Sequence, residues 1–144
     1  MMMGKAILAA AMMLLATAAI AQDAAPTETV PASIVPTEAG ENGTSTVTLH
    51  LHPFLTPEEL AVLRLVLTND EALGLFVPER TGFAALAVSP EDGFVREAVV
   101  VPSAQALGEM PDADLARTAA LAACDALRKG TSPCVVVLDI STRQ

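Results

Sequence analysis

The chain has 144 residues, a formal net charge of −9, and four aromatic residues, all of them phenylalanine. An acidic chain without a basic cluster is repelled by phosphates and anionic headgroups, so neither nucleic acid nor a membrane surface is an expected partner. The absence of Trp and Tyr removes the usual stacking platforms for bases and sugars and most of the usual interface anchors.

Residues 1–21 read as a secretory signal. Lys5 supplies a positive start, residues 6–16 an apolar stretch, and Ala19-Ile20-Ala21 an A-x-A cleavage site before Gln22. The stretch is too short and too rich in alanine for a bilayer span, which takes about 20 strongly apolar residues. No cysteine follows the cleavage site, so no lipid anchor is indicated. The expected location is periplasmic or secreted. Residues 22–46 are rich in Pro, Thr, Ala and Glu, with Pro26, Pro31 and Pro36, and show no sustained period. They are expected to form a disordered spacer. Residues 47–144 are then left as a single α+β domain.

Within that domain, residues 46–52 alternate polar and apolar, placing Val47, Leu49 and Leu51 inward and Thr48, His50 and His52 outward. Thr56-Pro57-Glu58-Glu59 is an N-cap, a first-turn proline and a capping-box glutamate, and the helix it opens should reach about Thr68. Only Glu58, Glu59 and Arg64 interrupt that helix's apolar surface. Asn69 starts a further short turn ending near Gly74. Residues 83–88 read as a strand, and Ser89-Pro90-Glu91-Asp92-Gly93 as a turn. Residues 94–101 are expected to return as the second strand of a hairpin, with residues 102–110 as loop. Asp112 caps a second helix whose apolar half is Leu115, Ala116, Ala119, Ala120, Ala123, Ala126 and Leu127, with Cys124 at its edge. Gly130 is expected to end that helix in the left-handed conformation, before a β-branched strand over 134–140. The order predicts a βαββαβ, ferredoxin-like sandwich with both helices on one face, or a plainer ββαβ unit.

Two pairs of residues bear on chemistry. Cys124 and Cys134 are the only cysteines, and in an oxidising compartment a lone pair most simply forms one disulfide. A redox-active pair would sit close together at a helix N-terminus, where the dipole favours the thiolate; here nine residues intervene. His50 and His52 are the only histidines, and at i, i+2 on one strand face they offer two ligands to Zn²⁺ or Cu²⁺. A closed zinc site takes four ligands, so two solvated strand histidines is the simpler reading. The carboxylate pairs Glu58–Glu59, Glu91–Asp92 and Asp112–Asp114 are accounted for as helix-start and turn residues. No nucleophile motif, phosphate-cradling glycine loop or cofactor fingerprint is present.

Phe83-Ala-Ala-Leu-Ala-Val-Ser-Pro, the turn glycine at 93, Ala119-Ala-Leu-Ala-Ala-Cys124, and Gly130 followed by Cys134-Val-Val-Val resemble a small exported bacterial domain of unknown function. That family shows an aromatic-Ala-Ile-Ala strand, a hairpin, then Ala-Leu-x-x-Cys and Gly-x-x-Cys ahead of a valine strand. The resemblance covers about residues 82–140. Some similar short proteins carry a 5-aminolevulinate synthase description, but that chemistry needs a large pyridoxal-phosphate fold and a Schiff-base lysine. Beyond residue 21 this chain has only Lys129. The expected function is therefore that of an exported, non-enzymatic module without a cofactor, binding a protein or envelope component. A metal-handling protein using His50 and His52, and an enzyme without a recognisable motif, are the alternatives.

Overall fold

The computed structural model describes residues 34–143, so the expected signal segment and the first part of the spacer, 22–33, lie outside it. The described chain is an α+β unit with a five-stranded antiparallel sheet, three helices and one disulfide. Its elements are β1 (Thr37–Asn42), β2 (Ser45–His50), α1 (Pro57–Thr68), α2 (Asp70–Gly74), β3 (Phe83–Val88), β4 (Val95–Arg96), β5 (Val99–Val100), β6 (Gln105–Met110), α3 (Ala113–Leu127) and β7 (Val135–Thr142). The large sheet runs β1-β2-β7-β3-β6, and β4 and β5 pair separately as a small hairpin.

The last strand organises this sheet. Val135 to Leu138 is a continuous apolar run, followed by Ile140, and such a strand is stable only with both neighbours and both faces covered. It lies between β2, in register Val47↔Ile140 and Leu49↔Leu138, and β3, in register Ala85↔Asp139 and Leu86↔Leu138. This central position differs from the ferredoxin-like arrangement expected, and it leaves every neighbouring pair antiparallel.

The helices also take both faces of the sheet rather than one. In β3, Ala84, Leu86 and Val88 enter a core with Leu63 and Val66 of α1 and Leu73 of α2. Ala85 and Ala87 point the other way, to Ala116, Ala120 and Cys124 of α3. Five successive buried residues in β3 demand exactly such two-sided cover. The α3 interface is alanine against alanine, which allows close approach but buries little area for each residue. Its buried stripe is narrower than the sequence implied. Leu115 and Leu127 are exposed, and the fully buried residues are Ala116, Ala120 and Cys124.

Three further expectations are corrected. The spacer was expected to extend to residue 46, but residues 37–42 form β1, paired with β2 from Thr37↔His50 to Asn42↔Ser45. Gly40 lets α1 come down onto this edge, since an added Cβ would press on Leu67, and Asn42 donates to the Val66 carbonyl at 3.1 Å. Residues 94–101 do not pair with β3; that place is taken by β6, over residues expected to be loop. Gly130 does not adopt positive φ. The helix instead ends at Arg128, which turns to φ −62°, ψ 145°.

The paired β1 sets a limit for proteolysis. Limited digestion of the protein should trim no further than about Thr37, since beyond it the backbone is hydrogen-bonded in the sheet. A resistant core beginning near residue 46 would show that β1 is not docked.

Candidate functional site

Local sequence explains how the hairpin is held. Thr56 caps α1 and accepts from the Glu59 amide at 3.2 Å, while Glu59 Oε2 accepts from the Thr56 amide at 2.9 Å, completing the capping box. The other oxygen, Oε1, accepts from the Phe94 amide at 2.7 Å, the Val95 amide at 2.9 Å and Arg96 Nη1 at 2.8 Å. Glu59 is only 1% exposed. Burial pushes its carboxyl up, but the amides of Thr56, Val95 and Phe94 and the Arg96 charge outweigh this and hold it below the ordinary value. One carboxylate therefore closes a helix start and fixes the base of β4–β5. It also occupies the Phe94 and Val95 amides that a strand beside β3 would have used.

The far side of the same hairpin is anchored by the turn acids. Asp92 Oδ2 accepts from Ser103 Oγ at 2.8 Å and the Lys129 amide at 2.9 Å, and Oδ1 from the Gly130 amide at 3.3 Å. Glu91 accepts from the Thr131 amide at 2.8 Å and from the amide and hydroxyl of Ser132 at 3.2 and 2.8 Å. The Lys129 amide first, then the Ser103 hydroxyl, holds the Asp92 carboxyl low, and the Ser132 hydroxyl with the Thr131 amide does the same for Glu91. These bonds capture residues 129–132 after α3, which is why the helix stops at Arg128 without a left-handed glycine. Gly130 serves space instead: an added Cβ would strike the Glu91 side chain. Gly93 does need its conformation, φ +81°, and the Arg96 guanidinium lies directly over it.

The hairpin so anchored stands away from the sheet. Its two turn residues, Glu97 and Ala98, take φ of 51° and 62°, a conformation that costs on the order of 1–3 kcal/mol for each non-glycine residue. Clefts surround it on three sides. The first, about 290 Å³, lies against Val99 to Ser103, Leu127 and Lys129. The second, about 300 Å³, holds Glu58, Glu97 and Val62. The third, about 360 Å³, is an apolar groove floored by Leu86 and Ala106 and walled by Val62, Leu65, Leu75, Phe76, Phe94 and Val100. Several of its wall residues are open to solvent: Leu75 is 82% exposed, Val100 53% and Leu65 51%.

The sequence contained one signal for this groove. A helix apolar on nearly all sides is fully covered only inside a larger core, and α1 has the sheet on one side alone. Glu59 could not be singled out in the same way, because a capping box accounts for its position without the bonds to residues 94–96.

His50 and His52 do lie together, with ring centroids 6.3 Å apart, but both Nε2 atoms are engaged. His50 Nε2 is 2.8 Å from Asp139 Oδ2, and Asp139 Oδ1 accepts from Arg117 Nε at 2.8 Å. His52 Nε2 donates to the Val136 carbonyl at 2.9 Å, and its ring stacks on Phe54. A metal bound through Nε2 would displace both bonds. Among the described residues no group of three or more His, Cys, Asp and Glu is placed to hold a metal ion. The two cysteines are joined as a disulfide, with Cα atoms 6.1 Å apart. Beside it Asp125 Oδ1 accepts from the Cys134 amide at 2.9 Å, a second tie between the end of α3 and the start of β7.

No family model matches the chain, and neither a curated protein nor a solved structure is similar to it. The resemblance over residues 82–140 is carried by its motifs alone.

Proposed function

We propose that this chain is an exported, non-enzymatic binding module that docks a partner protein of the cell envelope on the groove between α1, α2 and the β4–β5 hairpin. The observation that carries this reading is the open apolar groove, where Leu65, Leu75 and Val100 face solvent around a floor of Leu86 and Ala106. Exposed leucines in a protein this acidic have no role in its own core, and burying them against a partner supplies about 25 cal/mol for each Å² removed from water. Export is supported by the pattern of residues 1–21 and by the disulfide, which persists in oxidising compartments.

The test compares wild type with Leu65→Asp/Leu75→Asp as baits in an envelope extract. Both side chains are exposed, so the variant should melt like wild type. A prey retained by wild type and by an Arg143→Ala control, and lost from the double variant, is the expected result. Equal retention by all three baits would show that the groove is not the docking site.

A further inference from the structure

The central strands are covered on both faces, but the elements on the α1 side leave apolar side chains open above them. Five strands about 4.8 Å apart make a face that takes about two helices, each about 10 Å across, to cover. On the face opposite α3, α1 lies over β1 and β2, where its Leu67 meets Gly40. Beyond it there is only α2, of five residues. The apolar groove lies beside them, over the buried Leu86 of β3 and the exposed Ala106 of β6. The other face is unlike it: the part that α3 leaves open carries Thr46, Thr48 and His50. Only the α1 side therefore has an open apolar groove, rimmed by the exposed Val62, Leu65, Leu75 and Val100.

On the α1 side the rim of that groove carries two carboxylates. The cleft holding Glu58 and Glu97 joins the groove at Val62, and neither glutamate makes a side-chain hydrogen bond or ion pair among the described residues. The arginines near it are already paired, Arg64 with Glu38, Arg80 with Asp70 and Arg96 with Glu59, while Lys129 lies across the hairpin in the cleft that meets the groove at Val100. A second copy of this chain would bring like charge to the same rim, and anionic surfaces are repelled by the whole molecule.

Resting on the docking function proposed above, we infer that the occupant of the groove is an amphipathic helix of a partner protein. Its apolar side lies along Leu65 and Leu75, and its Lys or Arg residues meet Glu58 and Glu97. Helix-in-groove docking with charge-matched flanks is the mode that this combination of shape and sign fits.

Three labelled 18-residue peptides test it by fluorescence anisotropy: an amphipathic Leu/Lys helix, its Leu/Gln counterpart, and a scrambled Leu/Lys peptide of equal composition. The Leu/Lys helix should bind wild type at least tenfold more tightly than either other peptide. Leu65→Ser/Leu75→Ser should weaken it about tenfold or more. Glu58→Gln/Glu97→Gln should weaken it about three- to tenfold and flatten its dependence on salt, as expected for two exposed ion pairs. Equal binding of the Leu/Gln helix, lost in the leucine variant, would overturn the charge assignment and leave the groove as a docking site. Equal binding of the scrambled peptide, insensitive to the leucine variant, would overturn both. Self-association, or uptake onto phosphatidylcholine vesicles, that disappears in the leucine variant would give the groove to a second copy or to an acyl chain and overturn the partner-helix assignment.

Discussion

Reducing the Cys124–Cys134 disulfide should lower the melting temperature by about 10 °C while leaving the sheet folded. The bond closes a separation of ten residues, and on the chain-entropy estimate a loop of that length contributes about 2.5–3 kcal/mol. In a domain of this size about 1 kcal/mol corresponds to roughly 4 °C. The loss should also be local. The buried stripe of α3 is Ala116, Ala120 and Cys124, set against Ala85 and Ala87, so the helix has little apolar area to hold it once the sulfur bridge is gone. Hydrogen exchange of the reduced protein should show α3 amides opening first, while β2, β7 and β3 keep their protection through Val47, Leu49, Leu86, Leu138 and Ile140. Cys124→Ala/Cys134→Ala should reproduce both effects. A melting point unchanged by reductant, or uniform loss of protection across the sheet, would show that the bridge does not hold α3 in place.

The parts of this fold that could be read in the sequence are those fixed by local chemistry. Thr56, Pro57 and Glu59 set the start of α1, Asn69 caps α2, Asp112 caps α3, and Gly93 makes its turn, each through bonds to residues a few positions away. Strand partners were not legible, because they depend on which of several weak strands wins a place beside β3. Gln105 to Met110 contains a glycine and a glutamate and has poor strand propensity, yet it pairs with β3. Phe94 and Val95 look like better strand residues, but their amides are already held by Glu59. The two-sided cover of the sheet was visible in principle. Phe83 to Val88 does not alternate, and a strand without alternation is one with helices on both sides. Thr37 to Asn42, with two glutamates and a glycine, reads as spacer because nothing in it signals an edge strand. Charged, glycine-bearing edges are a common way to discourage further pairing. The candidate site was legible only in its excess of leucine and valine on α1, since the groove itself arises from where α1 ends over the sheet. The disulfide pairing, by contrast, needed only two cysteines and an oxidising compartment.

Glu59→Ala should be the most damaging single substitution outside the apolar core, at about 3–5 kcal/mol. It removes the acceptor from three backbone amides, Thr56, Phe94 and Val95, and from Arg96. A buried donor left without a partner costs about 1–3 kcal/mol, and water reaches some of these sites but not all. Glu59→Gln keeps the shape and one acceptor oxygen but turns an amide N–H toward a backbone donor, so a loss of about 2 kcal/mol is expected. Glu58→Gln, one residue away and exposed, should change stability by less than about 0.5 kcal/mol. The acid response follows from the same bonds. The folded Glu59 carboxyl lies below its ordinary 4.5, so its contribution is fully present above pH 4.5 and is lost as the pH falls through the lower folded value. Glu91 and Asp92 are shifted in the same direction by the amides and hydroxyls that hold the loop after α3. Below pH 4.5 the hairpin and that loop should therefore loosen together, and the groove that the hairpin borders should open before the sheet unfolds. Amide exchange of Phe94 and Val95 followed from pH 6 down to 3.5 would show it as early deprotection in wild type and as deprotection already at pH 6 in Glu59→Gln. Retention of both amides through that range in the variant would show that the hairpin is held by something other than the Glu59 carboxylate.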